Sequence, residues 1–305
     1  MTENATIGFI GLGVMGGPMC RNMALKHGGR LIAFDLNPAS FDEALGDTKA
    51  ERAASIAEVA HAADVIFLSL PGGAQVKSVC LGEGGISASA HTGAIIVDLS
   101  TTAVELAREV ARELAAQGLE FADAPVARTR EAARRGQLSV MVGAPEPLYA
   151  RIRPLIDYIA TDVTHGGEVG CGQVLKLVNN MLVFEHVVAL AEMMVVAERA
   201  GVKPEVMLAA VSKGSGDSFV LRNHGINAML PHSFPDKAFP PEYVLKDISY
   251  VLELARGCEV TPHLAEMTRR YYQASAETGG SGRYFPAVIE LIEKGGAPAG
   301  EEVKA

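Results

Sequence analysis

The chain has 305 residues, of which 49% are hydrophobic, and a formal net charge of −9. This length and composition predict a globular protein of one large or two ordinary domains with a buried core. The acidic balance argues against nonspecific binding to nucleic acid. The four cysteines (Cys20, Cys80, Cys171 and Cys258) lack zinc-ligand spacing, and no signal-peptide pattern precedes the first apolar run. We therefore expect a cytoplasmic protein with reduced thiols, no metal site, and no membrane or nucleic-acid partner.

The first elements of the chain have the pattern of a dinucleotide-binding unit. Residues 5–10, ATIGFI, form an apolar run that predicts a buried strand, and a Gly-x-Gly-x-x-Gly pattern occupies residues 11–16. A helix is predicted at 15–26, and a second strand, LIAFDL, reaches Asp35. This fingerprint requires a strand, a glycine turn, a helix, a second strand and an acid about twenty residues on, and all of these are present.

Each glycine of the fingerprint has its own physical role. Gly11 allows the tight turn, Gly13 lets the backbone approach the pyrophosphate, and Gly16 lets the helix pack closely on the strand. The N-terminus of the helix offers free N–H groups and a positive dipole end to the phosphates. We therefore predict that a dinucleotide contacts Gly11, Leu12, Gly13, Val14, Met15 and Gly16.

Asp35 selects between the two nicotinamide dinucleotides. A carboxylate at the end of the second strand accepts hydrogen bonds from the ribose hydroxyls and repels a 2′-phosphate. The residues that follow, Leu36, Asn37 and Pro38, include no basic side chain. The sequence therefore favours NAD over NADP, with Asp35 and Leu36 as cofactor contacts.

Three more buried strands are predicted at 62–71, 93–102 and 119–126. Ligands collect outside the carboxyl ends of parallel strands. Each strand end alone is equally well explained as ordinary structure, but together they predict one ligand-binding edge. Its predicted lining residues are Leu70, Pro71, Ser100, Thr101 and the stretch Asp123–Val126.

An arginine directly follows the last of these strands. Arg128 lies at the predicted turn, and Thr129 is placed to cap the following helix, as Thr102 is for a helix at 103–116. A guanidinium, a hydroxyl and a helix N-terminus together suit an oxyanion such as a carboxylate or sulfonate. The other arginines within 130–135 are expected on a solvated helix face. We therefore predict that Arg128 and Thr129 bind the anionic group of a substrate.

The predicted fold class is α/β, with an N-terminal Rossmann dinucleotide-binding domain (1–165) and an all-α C-terminal domain (166–305). A strand at 138–142, a helix after Pro145 and a strand at 161–165 complete the first domain. A long interdomain helix at about 169–200 joins the two domains and carries Lys176, with Asn180 one turn later on the same face. The remaining predicted helices are at 203–212, 217–229, 241–257, 262–277 and 283–294.

Four separated motifs resemble the β-hydroxyacid dehydrogenases, which include 3-hydroxyisobutyrate dehydrogenase and several semialdehyde reductases. The motifs are GFIGLGVMGGPMCRNM, the Asp-Ala-Pro-Val stretch, GCGQVLKLVNN, and Tyr-Val-Leu-Lys-Asp at 243–247. The resemblance covers nearly the whole chain in the right order. It implies an NAD-dependent oxidoreductase acting on CH–OH and assembled as a homodimer or homotetramer.

The resemblance also assigns roles to residues that match these motifs. Lys176 matches the catalytic lysine, and Asn180, beside Asn179, matches the asparagine that helps to hold the substrate. Lys246 matches a lysine near the nicotinamide, and Phe239, which precedes this motif, is expected on the cofactor side.

One motif departs from the family pattern. Most members have Ser-Gly-Gly after Asp-Ala-Pro-Val, where this chain has Ala127, Arg128 and Thr129. The Val-x-Arg-Thr form resembles the sulfolactaldehyde reductase branch, in which the arginine engages a sulfonate. Because guanidinium groups also suit carboxylates, the departure indicates an anion without identifying it.

The expected reaction interconverts a small anionic 3-hydroxy acid and its semialdehyde by hydride transfer, with Lys176 as general acid and base. One alternative is a sulfolactaldehyde or succinic semialdehyde type of reductase in which Arg128 binds the anion. A different class is a non-catalytic dinucleotide-binding module, which we would expect to lack the lysine. Imine reductases usually have Asp or Tyr in its place. The sequence leaves open the substrate, the physiological direction, the pathway and the number of subunits.

Overall fold

The structure is a computed structural model that describes residues 5–236 and 238–296. The chain divides into two compact units, one ending at Lys176 and the other beginning at Leu177. The division lies inside a single long helix, α9 (Cys171–Arg199). The predicted domain limits of 1–165 and 166–305 stay a prediction.

The first unit contains a nine-stranded sheet. Its strands are β1 (Ile7–Ile10), β2 (Leu31–Phe34), β3 (Glu51–Arg52), β4 (Val65–Leu68), β5 (Ile95–Asp98), β6 (Glu120–Asp123), β7 (Val126–Ala127), β8 (Leu138–Gly143) and β9 (Ala160–Gly167). The first six lie in the order β3-β2-β1-β4-β5-β6 and are all parallel. This is the strand order of a dinucleotide-binding Rossmann sheet, in which the order reverses between β1 and β4. The antiparallel β8 follows β6 and also pairs with β7 and, in parallel, with β9.

Helices cover both faces of this sheet. They are α1 (Gly16–Lys26), α2 (Pro38–Leu45), α3 (Ile56–Ala62), α4 (Gly73–Leu81), α5 (Ile86–Ser89), α6 (Val104–Ala115), α7 (Arg130–Arg135) and α8 (Glu146–Ile156). Because side chains alternate along a strand, Phe9 and Phe67 lie in the core with α1, α2 and α8. Ile10 and Ile66 lie in the core with α3, α4 and α6. Buried on both faces, these strands are continuous apolar runs, as expected of a parallel sheet.

Two predicted helix caps have different outcomes. The Thr129 hydroxyl accepts a hydrogen bond from the Ala132 N–H at 3.3 Å and caps α7, as predicted. Thr102 does not cap α6, because that helix begins one residue later than the prediction needs, with Ala103 at the cap position. The Thr102 N–H donates instead to the Gln173 side chain at 3.0 Å.

The second unit is helical. Besides α9 it contains α10 (Pro204–Val211), α11 (Pro241–Gly257), α12 (His263–Ser275), α13 (Val288–Glu293), π-helical segments at Leu221–Met229 and Ala276–Gly280, and a 3₁₀ turn at Phe285–Ala287. Among the described residues its strand-like pairing is an isolated bridge between Asp236 and Arg283. The Rossmann sheet and this helical unit confirm the predicted fold class.

The core of the second unit forms around α9. Phe184, Val187, Ala191 and Met194 of this helix are buried among the surrounding helices. The helix is long and apolar enough to cross a bilayer, but the core helix of a soluble protein passes the same test. The core that it forms therefore explains the buried side of this helix.

Candidate active site

The turn after β1 shows a different environment for each fingerprint glycine. A Cβ on Gly11 would lie 2.2 Å from the Ser69 carbonyl oxygen, and its φ of +97° favours glycine. A Cβ on Gly16 would lie 1.9 Å from the Gly11 carbonyl oxygen. A Cβ on Gly13 would meet no atom of the described residues within 4 Å. Two glycines thus serve packing within the protein, and the third faces open space that a ligand can enter.

Asp35 connects the end of β2 to this turn. One carboxylate oxygen accepts the Leu12 N–H at 2.6 Å and the other accepts the Asn37 N–H at 2.7 Å. A carboxylate has about four acceptor positions, so both oxygens keep capacity for ribose hydroxyls. Leu36 is 89% exposed beside it. The arrangement fits a dinucleotide with free ribose hydroxyls.

The ends of β4 and β5 are joined through Ser100. The buried Ser100 hydroxyl accepts the Leu70 N–H at 2.9 Å, and the Ser100 backbone N–H donates to Asp98 Oδ1 at 2.9 Å. Ser100 therefore has internal partners on both sides, while Pro71 is exposed and Thr101 is half-buried. The predicted cofactor contacts thus lie together after β4 and β5, at the carboxyl edge of the sheet.

The start of α9 is attached to the same edge. The Asp123 carboxylate, at the end of β6, accepts the Gly170 N–H at 2.6 Å and the Gln173 N–H at 2.7 Å. The Gln173 amide donates to the Ser100 carbonyl oxygen at 2.9 Å. Both side chains are fully buried. These bonds hold the start of α9 at the carboxyl ends of β5 and β6, and the half-buried Lys176 follows Gln173 by three residues in the helix.

Arg128 already has protein partners. Its guanidinium donates to the Gln137 carbonyl oxygen at 2.8 Å, to Thr161 Oγ1 at 3.0 Å and to Asp162 at 2.8 Å. The hydrogen bond from Thr161, and then the charge of Arg128, hold the pKa of Asp162 below its ordinary value. An anionic ligand would have to share this guanidinium with Asp162 or displace that carboxylate.

The backbone at Arg128 has the conformation for which the family motif uses a glycine. Its φ is +87°, in the left-handed region that favours glycine. The family pattern places a glycine at this position, and here the three contacts of the guanidinium hold the turn instead. Ala127, immediately before it, is buried and pairs with Ser139 of β8.

In the second unit, Asp247 organises two of the predicted residues. Asn180 donates to Asp247 Oδ2 at 2.8 Å, and its own oxygen accepts from Asn179 at 3.1 Å. Lys246 Nζ lies 3.3 Å from Asp247 Oδ1 and 5.7 Å from the ring of Tyr243. The buried carboxylate of Asp247 thus sets the orientation of the Asn180 amide and holds a positive charge beside it.

Phe239 belongs to the aromatic core of the second unit. Its ring centroid lies 5.6 Å from that of Tyr243, 5.9 Å from that of Phe285 and 6.2 Å from that of Phe184. Packing within this cluster accounts for Phe239. Its predicted role as a cofactor contact stays a prediction, as do the roles of the other predicted site residues.

Sequence reasoning placed Asp123 at the ligand-binding edge without predicting its bonds to α9, and it assigned no role to Gln173 or Asp247. A signal for the first two was present: the start of α9 and the residue before it read Gly170-Cys171-Gly172-Gln173, which contains none of the preferred capping residues except glycine. A helix start without a side-chain cap needs another partner for its N–H groups. An aspartate at the end of an apolar strand was the natural candidate.

The fold and the turn after β1 together define a dinucleotide-binding protein. The open side of Gly13, the start of α1 and the Asp35 carboxylate fit NAD at the point where the strand order reverses. Comparison with known proteins agrees. The family model for the NAD binding domain of 6-phosphogluconate dehydrogenase matches residues 6–167. The model described as NAD-binding of NADP-dependent 3-hydroxyisobutyrate dehydrogenase matches residues 170–292.

Individual relatives match over nearly their whole length. The 2-(hydroxymethyl)glutarate dehydrogenase of Eubacterium barkeri is 32% identical over 96% of this chain and 97% of its own. The 3-hydroxyisobutyrate dehydrogenase of Pseudomonas aeruginosa is 34% identical over 93% of this chain and 97% of its own. A structure of the Mycobacterium tuberculosis 3-hydroxyisobutyrate dehydrogenase with L-serine superimposes with a TM-score of 0.86 and 27% identity, over 95% of this chain and 99% of that one.

The chain belongs to the β-hydroxyacid dehydrogenase family, as its motifs predicted. It is an NAD-binding oxidoreductase that acts on the CH–OH group of hydroxy acids.

Proposed function

We propose that the protein interconverts a small 3-hydroxy acid of the 3-hydroxyisobutyrate type and its semialdehyde, with Lys176 as the general acid and base. The observation that carries the proposal is the position of this lysine. It lies one turn into a helix whose start is hydrogen-bonded to the ends of β5 and β6. That edge is where ligands bind in sheets of this type.

The proposed chemistry needs one proton transfer from the protein. Bound NAD supplies the acceptor for the hydride. In the oxidation direction, neutral Lys176 takes the hydroxyl proton as the hydride leaves the carbinol carbon, and in the reduction direction it returns that proton. Asn180, four residues later in α9, is proposed to hydrogen-bond the substrate.

A substrate panel and a lysine variant test the proposal. Purified protein is mixed with NAD and each of 3-hydroxyisobutyrate, L-serine, glycerate, 4-hydroxybutyrate and 2,3-dihydroxypropane-sulfonate, and NADH absorbance is followed. Loss of a general acid and base typically costs about 10²–10⁴-fold in rate. We therefore expect Lys176→Ala to lower kcat by about that factor while NADH still binds, and added ethylamine to restore part of the activity.

Lys77 provides a matched control. It is an exposed lysine of the first unit that pairs with Glu109 at 2.7 Å. Lys77→Ala should leave kcat unchanged. Near-normal turnover of Lys176→Ala would refute the assignment of the lysine. No reaction with any carboxylate or sulfonate would favour the non-catalytic dinucleotide-binding module.

The same panel separates the proposed substrate from the sulfonate alternative. The Arg128 guanidinium is already bonded to Asp162, Thr161 and Gln137. We therefore rank the sulfonate alternative, which needs Arg128 to bind the anion, below the 3-hydroxyisobutyrate type of substrate. If the protein preferred the sulfonate and an Arg128→Ala variant lost that preference, the sulfolactaldehyde type of reductase would be the correct function.

The proposal includes a homodimer or homotetramer in the cytoplasm. One side of α9 in the second unit exposes apolar side chains, among them Val178, Leu182, Met193 and Val196. Their spacing places them on one helix face, where a second copy could cover them. Light scattering after size-exclusion chromatography measures the assembly, and Leu182→Lys should weaken it. A monomer at micromolar concentration would contradict the proposal.

A further inference from the structure

The helix that carries Lys176 begins without a side-chain cap of its own. Gly170, the residue before the helix, has a φ of +95° and no side chain. In a capping box, the residue at this position and the residue three later satisfy each other's N–H groups. The residue three later is Gln173, and its side chain bonds to Ser100 and Thr102 instead. The first N–H groups of α9 therefore need a partner from elsewhere in the chain.

Asp123 is that partner. Its two carboxylate oxygens accept the Gly170 N–H at 2.6 Å and the Gln173 N–H at 2.7 Å. These are the two N–H groups that a capping box satisfies. One carboxylate at the end of β6 thus performs both functions, and it joins the helix to the sheet in doing so.

Glycines make this close approach possible. A Cβ on Gly172 would lie 2.4 Å from the Met141 carbonyl oxygen and 2.8 Å from Asp123 Oδ2. A Cβ on Gly143 would lie 2.4 Å from Asp123 Oδ1. Any larger residue at either position would push the helix start off the sheet. The position of the first turn is therefore determined by several contacts at once.

Gln173 provides a second attachment on the next strand. Its amide nitrogen donates to the Ser100 carbonyl oxygen at 2.9 Å, and its oxygen accepts the Thr102 N–H at 3.0 Å. Lys176 follows Gln173 by three residues, which places the two on neighbouring positions of one helix face. A shift of the first turn would therefore move Lys176 with it.

We propose that Asp123 is a positioning residue for Lys176, holding the first turn of α9 against the carboxyl edge of the sheet. The inference rests on the proposed function of Lys176 and names a residue that acts only through it. Misplacing a catalytic group by about 1 Å can cost about 100-fold in rate. Loss of the Asp123 carboxylate should therefore lower kcat far more than it lowers affinity for NAD.

The charge on Asp123 makes the attachment sensitive to pH. Burial raises the pKa of this carboxyl to about 6, while the N–H groups of Gly170 and Gln173 and the charge of Arg108 on α6 act in the opposite direction. Asp98 is its register partner on the neighbouring strand β5. Protonation of the Asp123 carboxylate weakens it as an acceptor for the N–H groups of Gly170 and Gln173. The attachment should therefore weaken as the pH falls through about 6.

The experiment compares wild type, Asp123→Asn and Ser55→Ala from pH 5 to 9, with NAD and 3-hydroxyisobutyrate both saturating. Ser55 caps α3 in the same unit by accepting the Glu58 N–H at 3.1 Å, so its variant loses a helix cap away from Lys176. We expect Asp123→Asn to lower kcat about 100-fold at pH 8, with KM for NAD changed less than twofold. Its kcat should also lack the fall near pH 6 that comes from protonation of Asp123, while any fall that comes from protonation of Lys176 stays. Ser55→Ala should lose stability but keep the wild-type kcat.

Amide hydrogen exchange of the wild-type peptide 168–176 gives a test that needs no variant. The protection factor of this peptide, which is its exchange corrected for the intrinsic base-catalysed rate at each pH, should fall together with kcat, with the same midpoint near pH 6. Wild-type kcat in Asp123→Asn, or a protection factor that does not change between pH 7 and 5, would overturn the inference. Activity retained by Lys176→Ala would refute the proposed function instead, so the two failures are distinguishable.

Discussion

The three fingerprint glycines should respond differently to the same substitution. Gly13→Ala places a methyl group in open space, since its Cβ meets no described atom within 4 Å. The cofactor-free protein should therefore change in stability by less than about 1 kcal/mol. If the pyrophosphate occupies that space, overpacking should cost about 1–3 kcal/mol of binding, which is about a 5- to 150-fold rise in the dissociation constant of NADH.

Gly11→Ala and Gly16→Ala should behave in the opposite way. The new methyl groups would lie 2.2 Å and 1.9 Å from carbonyl oxygens of the protein itself. At Gly11 the positive φ adds about 1–3 kcal/mol of strain to a similar packing cost, so we expect a loss of about 2–6 kcal/mol. These two variants should be visibly destabilised before any cofactor is added.

Two assays separate these effects. Urea unfolding followed by circular dichroism measures the stability of each cofactor-free variant. NADH fluorescence titration measures binding, and the chain has no tryptophan to interfere. If Gly13→Ala destabilised the cofactor-free protein as much as Gly16→Ala does, the conclusion that Gly13 faces open space would be wrong. If it bound NADH like wild type, the pyrophosphate would not lie there.

Three further outcomes are expected. Arg128→Gly should change the free energy of unfolding by less than about 1 kcal/mol, because relief of the positive φ offsets the loss of an exposed ion pair with Asp162. Arg128→Ala keeps the strained φ, so urea unfolding should show a larger loss of stability for this variant. Asp35→Asn should weaken NAD binding about tenfold and raise the NADP/NAD preference in titrations, because the carboxylate no longer accepts ribose hydrogen bonds or repels a 2′-phosphate. Burial lowers the pKa of His224 from 6.5 to about 4. Between pH 6.5 and 4 the His224 side chain is therefore protonated in the unfolded state but neutral in the folded state. Stability should therefore fall by up to about 3 kcal/mol as pH drops from 6.5 to 4, and a His224→Gln variant that showed the same slope would contradict this origin.

The sequence alone identified the features that depend on local pattern. The glycine turn, Asp35 and the apolar strands follow from backbone sterics and from the periodicity of buried strands, and all of them lie where they were expected. The long helix was also evident, since no glycine or proline interrupts it between Gln173 and Arg199. Lys176 could be singled out because a charge at the start of such an apolar helix is costly without a function.

Only the tertiary structure decided which distant residues serve these features. Asp123 and Gly170 are 47 positions apart, so the uncapped start of α9 indicated that a partner was needed but not which residue supplies it. The same holds for Gln173 with Ser100 and for Asn180 with Asp247, which are 73 and 67 positions apart. Arg128 looked from sequence like a residue facing a ligand, and the fold gives its guanidinium three partners, Gln137 just before β8 and Thr161 and Asp162 in β9. Buried polar groups require partners, and sequence shows the requirement while the packing of the chain determines which residue meets it.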